Sequence, residues 1–178
     1  MKTKTPAADT KRPYRQTARA AAAEANAARI IEAFRERLQR LWFEEIRLED
    51  VAQDAGVTVQ TVIRRFGGKD GLLDATVDVL AHQIMELRRA GDGGPADTVR
   101  ALVDDYEVSG DLVMRVLAQE ARHPTLRRIT DIGRAEHRAW LASAFASRLE
   151  PLAPEVSRRR LDALVAATDV YLWQLLRR

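Results

Sequence analysis

Between Gly56 and Lys69 the chain carries three cations, Arg64, Arg65 and Lys69, and no acid, although cations and anions nearly balance over its 178 residues, 29 against 26. Thr58, Gln60 and Thr61 stand in the same stretch. Hydroxyl, amide and guanidinium groups are what a nucleic acid demands: threonine donates to phosphate, glutamine pairs bidentately with adenine, and arginine with guanine. At about 100° per residue, Gln60 and Arg64 share one face of a helix, flanked by Thr61, Ile63 and Arg65, while Val62 and Phe66 lie opposite. An ordinary helical corner with a polar outer face is the alternative reading. The charge count argues against it, because a merely solvated face in this chain would carry acids as well.

Two short helical patterns position these groups, and both lie in the run from Arg47 to Lys69, RLEDVAQDAGVTVQTVIRRFGGK. Leu48, Val51, Ala52 and Ala55 recur at helical spacing and leave Glu49, Asp50, Gln53 and Asp54 to water. Gly56 stands where the first helix must stop and turn, Val57 fills the corner, and Thr58 suits the N-cap of a second helix from Val59 to Phe66. Val59 and Val62 face the first helix.

This run resembles the helix-turn-helix of the TetR (tetracycline-repressor-like) family of bacterial transcriptional regulators. The resemblance rests on the alanine-glycine-valine corner, the hydroxyl opening the recognition helix, a threonine one turn on, and Phe66-Gly67-x-Lys69 leading into a long helix. It covers the N-terminal third and implies an all-α fold and DNA binding. It places Lys69 against phosphate, with a plain solvated lysine as the alternative. Two positions depart from the family pattern. Ile63 replaces an aromatic, usually a tyrosine whose hydroxyl touches phosphate; the isoleucine either meets a thymine methyl or packs inward. Arg47 stands where a Ser or Thr cap is common; it weakens the cap and could reach a phosphate itself. The expected DNA contacts are therefore Arg47, Thr58, Val59, Gln60, Thr61, Ile63, Arg64, Arg65 and Lys69.

The remaining composition narrows the function class. A hydrophobic content of 46% is enough to bury a core. With no cysteine, and with His82, His123 and His137 scattered, neither a disulfide framework nor a metal cluster is expected. No serine-histidine-acid set, paired carboxylates or glycine-rich phosphate loop appears, so no catalytic residue or cofactor is expected. No apolar run approaches a membrane span or a signal peptide, which predicts a cytoplasmic protein. A net charge of +3 is modest, so the case for nucleic acid rests on where the charge sits.

The pattern predicts three parts. Residues 1–16 form a basic arm, Lys2, Lys4, Lys11, Arg12 and Arg15 against the single acid Asp9, either lying along DNA or simply solvated. Residues 17–68 form a three-helix head, whose first helix runs from Ala18 with Ile30, Ile31, Phe34, Leu38, Leu41 and Trp42 as its apolar stripe. Residues 69–178 comprise a connecting helix, a break at Gly91–Pro95, and an antiparallel helical body.

In the resembling family the body holds an effector pocket. Tyr106, Arg115, His137 and Trp140 are the candidates for its lining, although an aromatic on a helical stripe is more often core and a histidine there is more often satisfied by a neighbour. One last helix follows Arg158–Arg160 and is apolar nearly all round, which predicts a homodimer interface through Val170, Trp173 and Leu176. The chain stops mid-pattern at Leu175-Leu176-Arg177-Arg178, suggesting that a further dimerisation helix is missing. The whole predicts a homodimeric regulator, a repressor released from a palindromic operator in double-stranded DNA by an unidentified small molecule. An effector-independent DNA-binding dimer and an all-helical enzyme with a vestigial head remain as alternatives.

Overall fold

The computed structural model describes residues 11–89 and 93–177, with side chains from residue 19 onward. Among these residues the protein is entirely helical. The head consists of α1 (Lys11–Leu38), a single 3₁₀ turn (Phe43–Glu45), α2 (Leu48–Asp54) and α3 (Val59–Phe66). α4 (Lys69–Arg89) leads to a body of α5 (Pro95–Leu117), α6 (Pro124–Ala144), α7 (Ala146–Leu149), α8 (Pro154–Ala167) and α9 (Val170–Leu176). α1 begins at Lys11, earlier than the expected Ala18, so residues 11–16 of the anticipated arm are helical. Residues 1–10 of that arm lie outside the described residues, as do Gly91 and Asp92 of the Gly91–Pro95 break.

Ala27, Ile30, Phe34 and Leu38 repeat at three- and four-residue spacing and bury one stripe of α1 chiefly against α2 and α4. Arg37 then ties α1 to the outside of α2 through Asp50 and Asp54, at 3.6 and 2.7 Å. The core built on Phe34, Ile46, Val51, Val62, Leu72 and Leu73 does not end at the head. It continues into Leu112 of α5 and Leu126 of α6, so head and body share one apolar cluster.

Polar contacts line the same seam. Arg115 donates to the Arg40 and Leu41 carbonyls at 2.7 and 3.1 Å, and the Gln119 amide oxygen accepts from the Phe43 backbone N–H at 2.7 Å. His123 meets Glu44 at 2.7 Å, Thr125 donates to Asp70, and Arg128 pairs with Asp74.

The expected single last helix is two helices. Thr168 closes α8 and Asp169 caps α9, its carboxylate accepting from the Tyr171 backbone N–H at 2.9 Å. The Thr168 carbonyl accepts from the Tyr106 hydroxyl at 2.9 Å, so it is satisfied without continuing the helix. α9 then turns inward. Trp173 packs on Tyr106 and Leu102 of α5, where Gly110 makes room: a Cβ there would lie 2.5 Å from the indole.

The three residues expected at a dimer face are not placed alike. Val170 and Trp173 are buried in the chain's own core, because the break at Thr168 rotates them onto α5; Leu176 is exposed, together with Tyr171 and Leu175. Val99 and Val103 of α5 are exposed, outside this core.

Candidate nucleic-acid interface

The turn that aims α3 is built as its sequence requires. α2 ends in a paired C-terminal motif, with Val57 N–H donating to Ala52 O and Gly56 N–H to Gln53 O. Gly56 has φ 66°, the left-handed conformation that a side chain would strain. Arg29 of α1 donates to the Ala55 carbonyl and holds this corner against the head. Thr58 is in extended conformation and its hydroxyl accepts from the Thr61 N–H, starting α3 as an N-cap. Arg47 stands at the N-cap of α2 without a side-chain capping bond and sits 3.7 Å from Glu49, which matches the weakened cap expected there.

α3 has one inward and one outward side. Val62 is completely buried and Val59 and Phe66 are half-buried, whereas Gln60, Ile63, Arg64 and Arg65 are exposed. Gln60 and Arg64 have no intrachain hydrogen bond or ion pair among the described residues, so their donors and acceptors are available to a ligand. Ile63 is 40% exposed, which excludes the inward packing and leaves its methyl groups on the outer face. The Thr58 and Thr61 hydroxyls share a 2.9 Å hydrogen bond and can still accept or donate outward.

Two residues at this end behave differently. Arg65 is drawn back by Glu24 of α1, at 2.8 and 2.9 Å to its two oxygens. Lys69 does not extend toward the outer face. Its ammonium donates to the carbonyls of Phe43, Glu44 and Ile46 at 2.9, 3.3 and 3.0 Å and lies 4.7 Å from the Phe43 ring centre. All three donors are committed. The Lys69 ammonium, expected at a DNA phosphate, rests here on the carbonyls of the 3₁₀ turn and of Ile46, and the Phe43 carbonyl also accepts from the Ile46 N–H.

The four residues nominated for an effector pocket divide in the same way. Tyr106, His137 and Trp140 converge, whereas Arg115 lies apart in the head–body seam, stacked on Trp42. At the centre of the converging group sits Arg88, at the end of α4. Its guanidinium pairs with Asp105 at 2.9 Å, lies 4.9 Å from the Trp140 ring centre and 6.0 Å from that of Tyr106. Asp105 also accepts from Ser109 at 2.7 Å. Arg88 approaches His137 Nδ1 at 3.3 Å, and His137 Nε2 faces the Thr168 hydroxyl at 3.1 Å, which donates on to Leu164 O.

Burial, reinforced by the Arg88 charge, pulls His137 down to about 4 from 6.5, so the ring is neutral and passes one donor along this chain. Burial also pushes the Tyr106 phenol well above its ordinary range. Sequence reasoning missed Arg88 and Asp105. Arg88 follows Ile84 by one helical turn on the stripe of α4, and Asp105 follows Leu102 by three residues on α5, so spacing alone marked both as inward.

No helix among the described residues is long and apolar enough to cross a membrane, and no cluster of three potential metal ligands occurs among them. Residues 43–76 match the model of the bacterial regulatory proteins of the tetR family. The HTH-type transcriptional regulator BetI of Burkholderia thailandensis is 30% identical over 156 residues, covering 80% of this chain and 78% of that protein. The chain belongs to the tetR family. As a member of it, this protein is a DNA-binding transcriptional regulator, and the relatives found are regulators rather than enzymes. BetI of Paraburkholderia phytofirmans is 29% identical over 161 residues, 84% of this chain and 80% of the relative. A transcriptional regulator from Rhodococcus sp. Rha1 shares the fold at a TM-score of 0.64, with 19% identity over 83% of this chain and 81% of its own.

Proposed function

We propose that this tetR-family regulator is a cytoplasmic homodimer that represses transcription from a palindromic operator and is released by a small-molecule effector. One observation carries the reading: the outer face of α3 presents Gln60 and Arg64 uncommitted and free of neighbouring acids. These two residues read bases in the major groove, while Thr58, Thr61 and Arg47 hold phosphates, Val59 supports the helix from below, and Ile63 meets thymine methyl groups. Two heads about 34–36 Å apart then engage successive major grooves. Dimerisation is supported by α8, none of whose residues is buried, and by the exposed Tyr171, Leu175 and Leu176 of α9. The effector region is the cluster of Tyr106, His137 and Trp140 around Arg88, at the end of the helix that carries the head.

One observation favours a second reading, an effector-independent regulator. Among the described residues no buried side-chain nitrogen or oxygen lacks a partner, so the Arg88 cluster is satisfied without a ligand. Selection of operators from random duplexes, followed by screening for compounds that release the complex, separates the two readings. Arg64→Ala or Gln60→Ala is expected to cost about 1–3 kcal/mol on a selected operator and to relax preference at particular base pairs. A loss spread equally over all sequences would remove α3 from the groove.

A further inference from the structure

Arg65 is the cation of α3 that the operator-reading face does not use. It lies on the side of the helix turned to α1, in a groove of about 300 Å³ where Thr61, Arg64 and Arg65 face Asn26. That groove gathers two guanidinium groups, a hydroxyl and an amide, the donor set a phosphate requires. One carboxylate already occupies the role of the anion: both Glu24 oxygens lie within 2.9 Å of the same Arg65 nitrogen. Glu24 and Arg65 are 67% and 45% exposed, so the pair lies at the surface, where a DNA phosphate must compete with Glu24 for the same guanidinium.

We propose that Glu24 masks Arg65 from DNA phosphate. The carboxylate acts as an internal competitor, so Arg65 adds little sequence-independent affinity, and discrimination is left to Gln60 and Arg64. A backbone phosphate must displace Glu24 to recruit Arg65, and it does so against the repulsion of that carboxylate. The inference rests on α3 being the helix that meets DNA, which the Gln60 and Arg64 variants test separately.

The experiment is a double-mutant cycle on the full chain, binding a mixed-sequence duplex across a salt titration. Glu24→Gln is expected to tighten binding and to steepen the dependence of log affinity on log salt by about one, as one added phosphate contact requires. The gain should therefore shrink by about 3.5-fold from ~50 to ~200 mM salt. Arg65→Ala should change binding less than about twofold in the wild-type background and should abolish the gain in the Glu24→Gln background. Three outcomes overturn the proposal. If Glu24→Gln and Arg65→Ala each weaken binding, Glu24 aims Arg65 rather than masking it. If Glu24→Gln tightens binding equally with alanine at position 65, its charge acts on DNA directly. If Glu24→Gln changes neither affinity nor slope, no competition exists. Both side chains are on the surface, so circular dichroism of each variant should match wild type.

Discussion

Replacing Lys69 by methionine separates a structural lysine from a phosphate-binding one, because the apolar stem is kept and only the ammonium is lost. A hydrogen bond from a charged donor contributes about 1.5–3 kcal/mol, and a cation over an aromatic face about 0.5–2 kcal/mol. Lys69 makes three such bonds and one such contact, but one charge is shared among them and the site is only half-buried. The contributions therefore fall well short of their sum, and a net loss of about 2–3 kcal/mol is expected. For a chain of this size that lowers the melting temperature by roughly 5–10 °C. Thermal unfolding followed by circular dichroism measures it. DNA binding measured well below the transition should keep the wild-type salt slope, since no phosphate contact has been removed. A variant as stable as wild type whose slope is about one unit flatter would refute the clamp and return Lys69 to the backbone of DNA.

The body offers three further tests. Asp105→Ala strands a buried guanidinium and should cost about 3–5 kcal/mol in urea unfolding, whereas pairing Asp105→Leu with Arg88→Met should recover most of that loss. Gly110→Ala forces a methyl group against the Trp173 indole and should destabilise by about 1–3 kcal/mol, with a matching change in tryptophan emission. His137, with a folded pKa of about 4 against 6.5 when unfolded, binds protons preferentially in the unfolded chain; stability is complete above pH 6.5 and is lost as pH falls toward 4. Between pH 7.5 and 5 the loss should be about 2 kcal/mol more in wild type than in His137→Gln, and an equal pH dependence of the two would disprove the buried neutral ring.

The head was legible because its signals are local. A glycine two residues past the end of α2, a threonine three residues before Thr61, and an acid-free outer face each act within one turn of helix, and each is found where the sequence puts it. The body was less legible because its decisive contacts join distant elements. Nothing near Thr168 in the sequence says that Tyr106, 62 residues earlier, will take its carbonyl and let the helix break. Once that break exists, Val170 and Trp173 turn inward, and an apolar surface that looked two-sided becomes core on one side. Asp105 and Ser109 were passed over on α5 for a related reason. Apolar periodicity follows valines such as Val99 and Val103, yet the inward row of this helix carries a polar network that Arg88 completes.

The two cations assigned to ligands and found elsewhere, Lys69 and Arg115, share one physical cause. Each lies beside a place where a helical segment ends and leaves carbonyls short of amide donors: Arg40 and Leu41 after α1, and Glu44 and Ile46 at the 3₁₀ turn. An orphan carbonyl in a half-buried seam costs more than an exposed cation gains by staying in water, so a long basic side chain within reach is drawn onto it. Residue type announces that a side chain can bind an anion, but not that a backbone oxygen has already claimed it. Gln60 and Arg64 escape this fate because α3 is capped at both ends by its own local groups, the Thr58 hydroxyl and the left-handed Gly67. With its own termini satisfied, the middle of α3 keeps the donors of Gln60 and Arg64 free of backbone partners among the described residues.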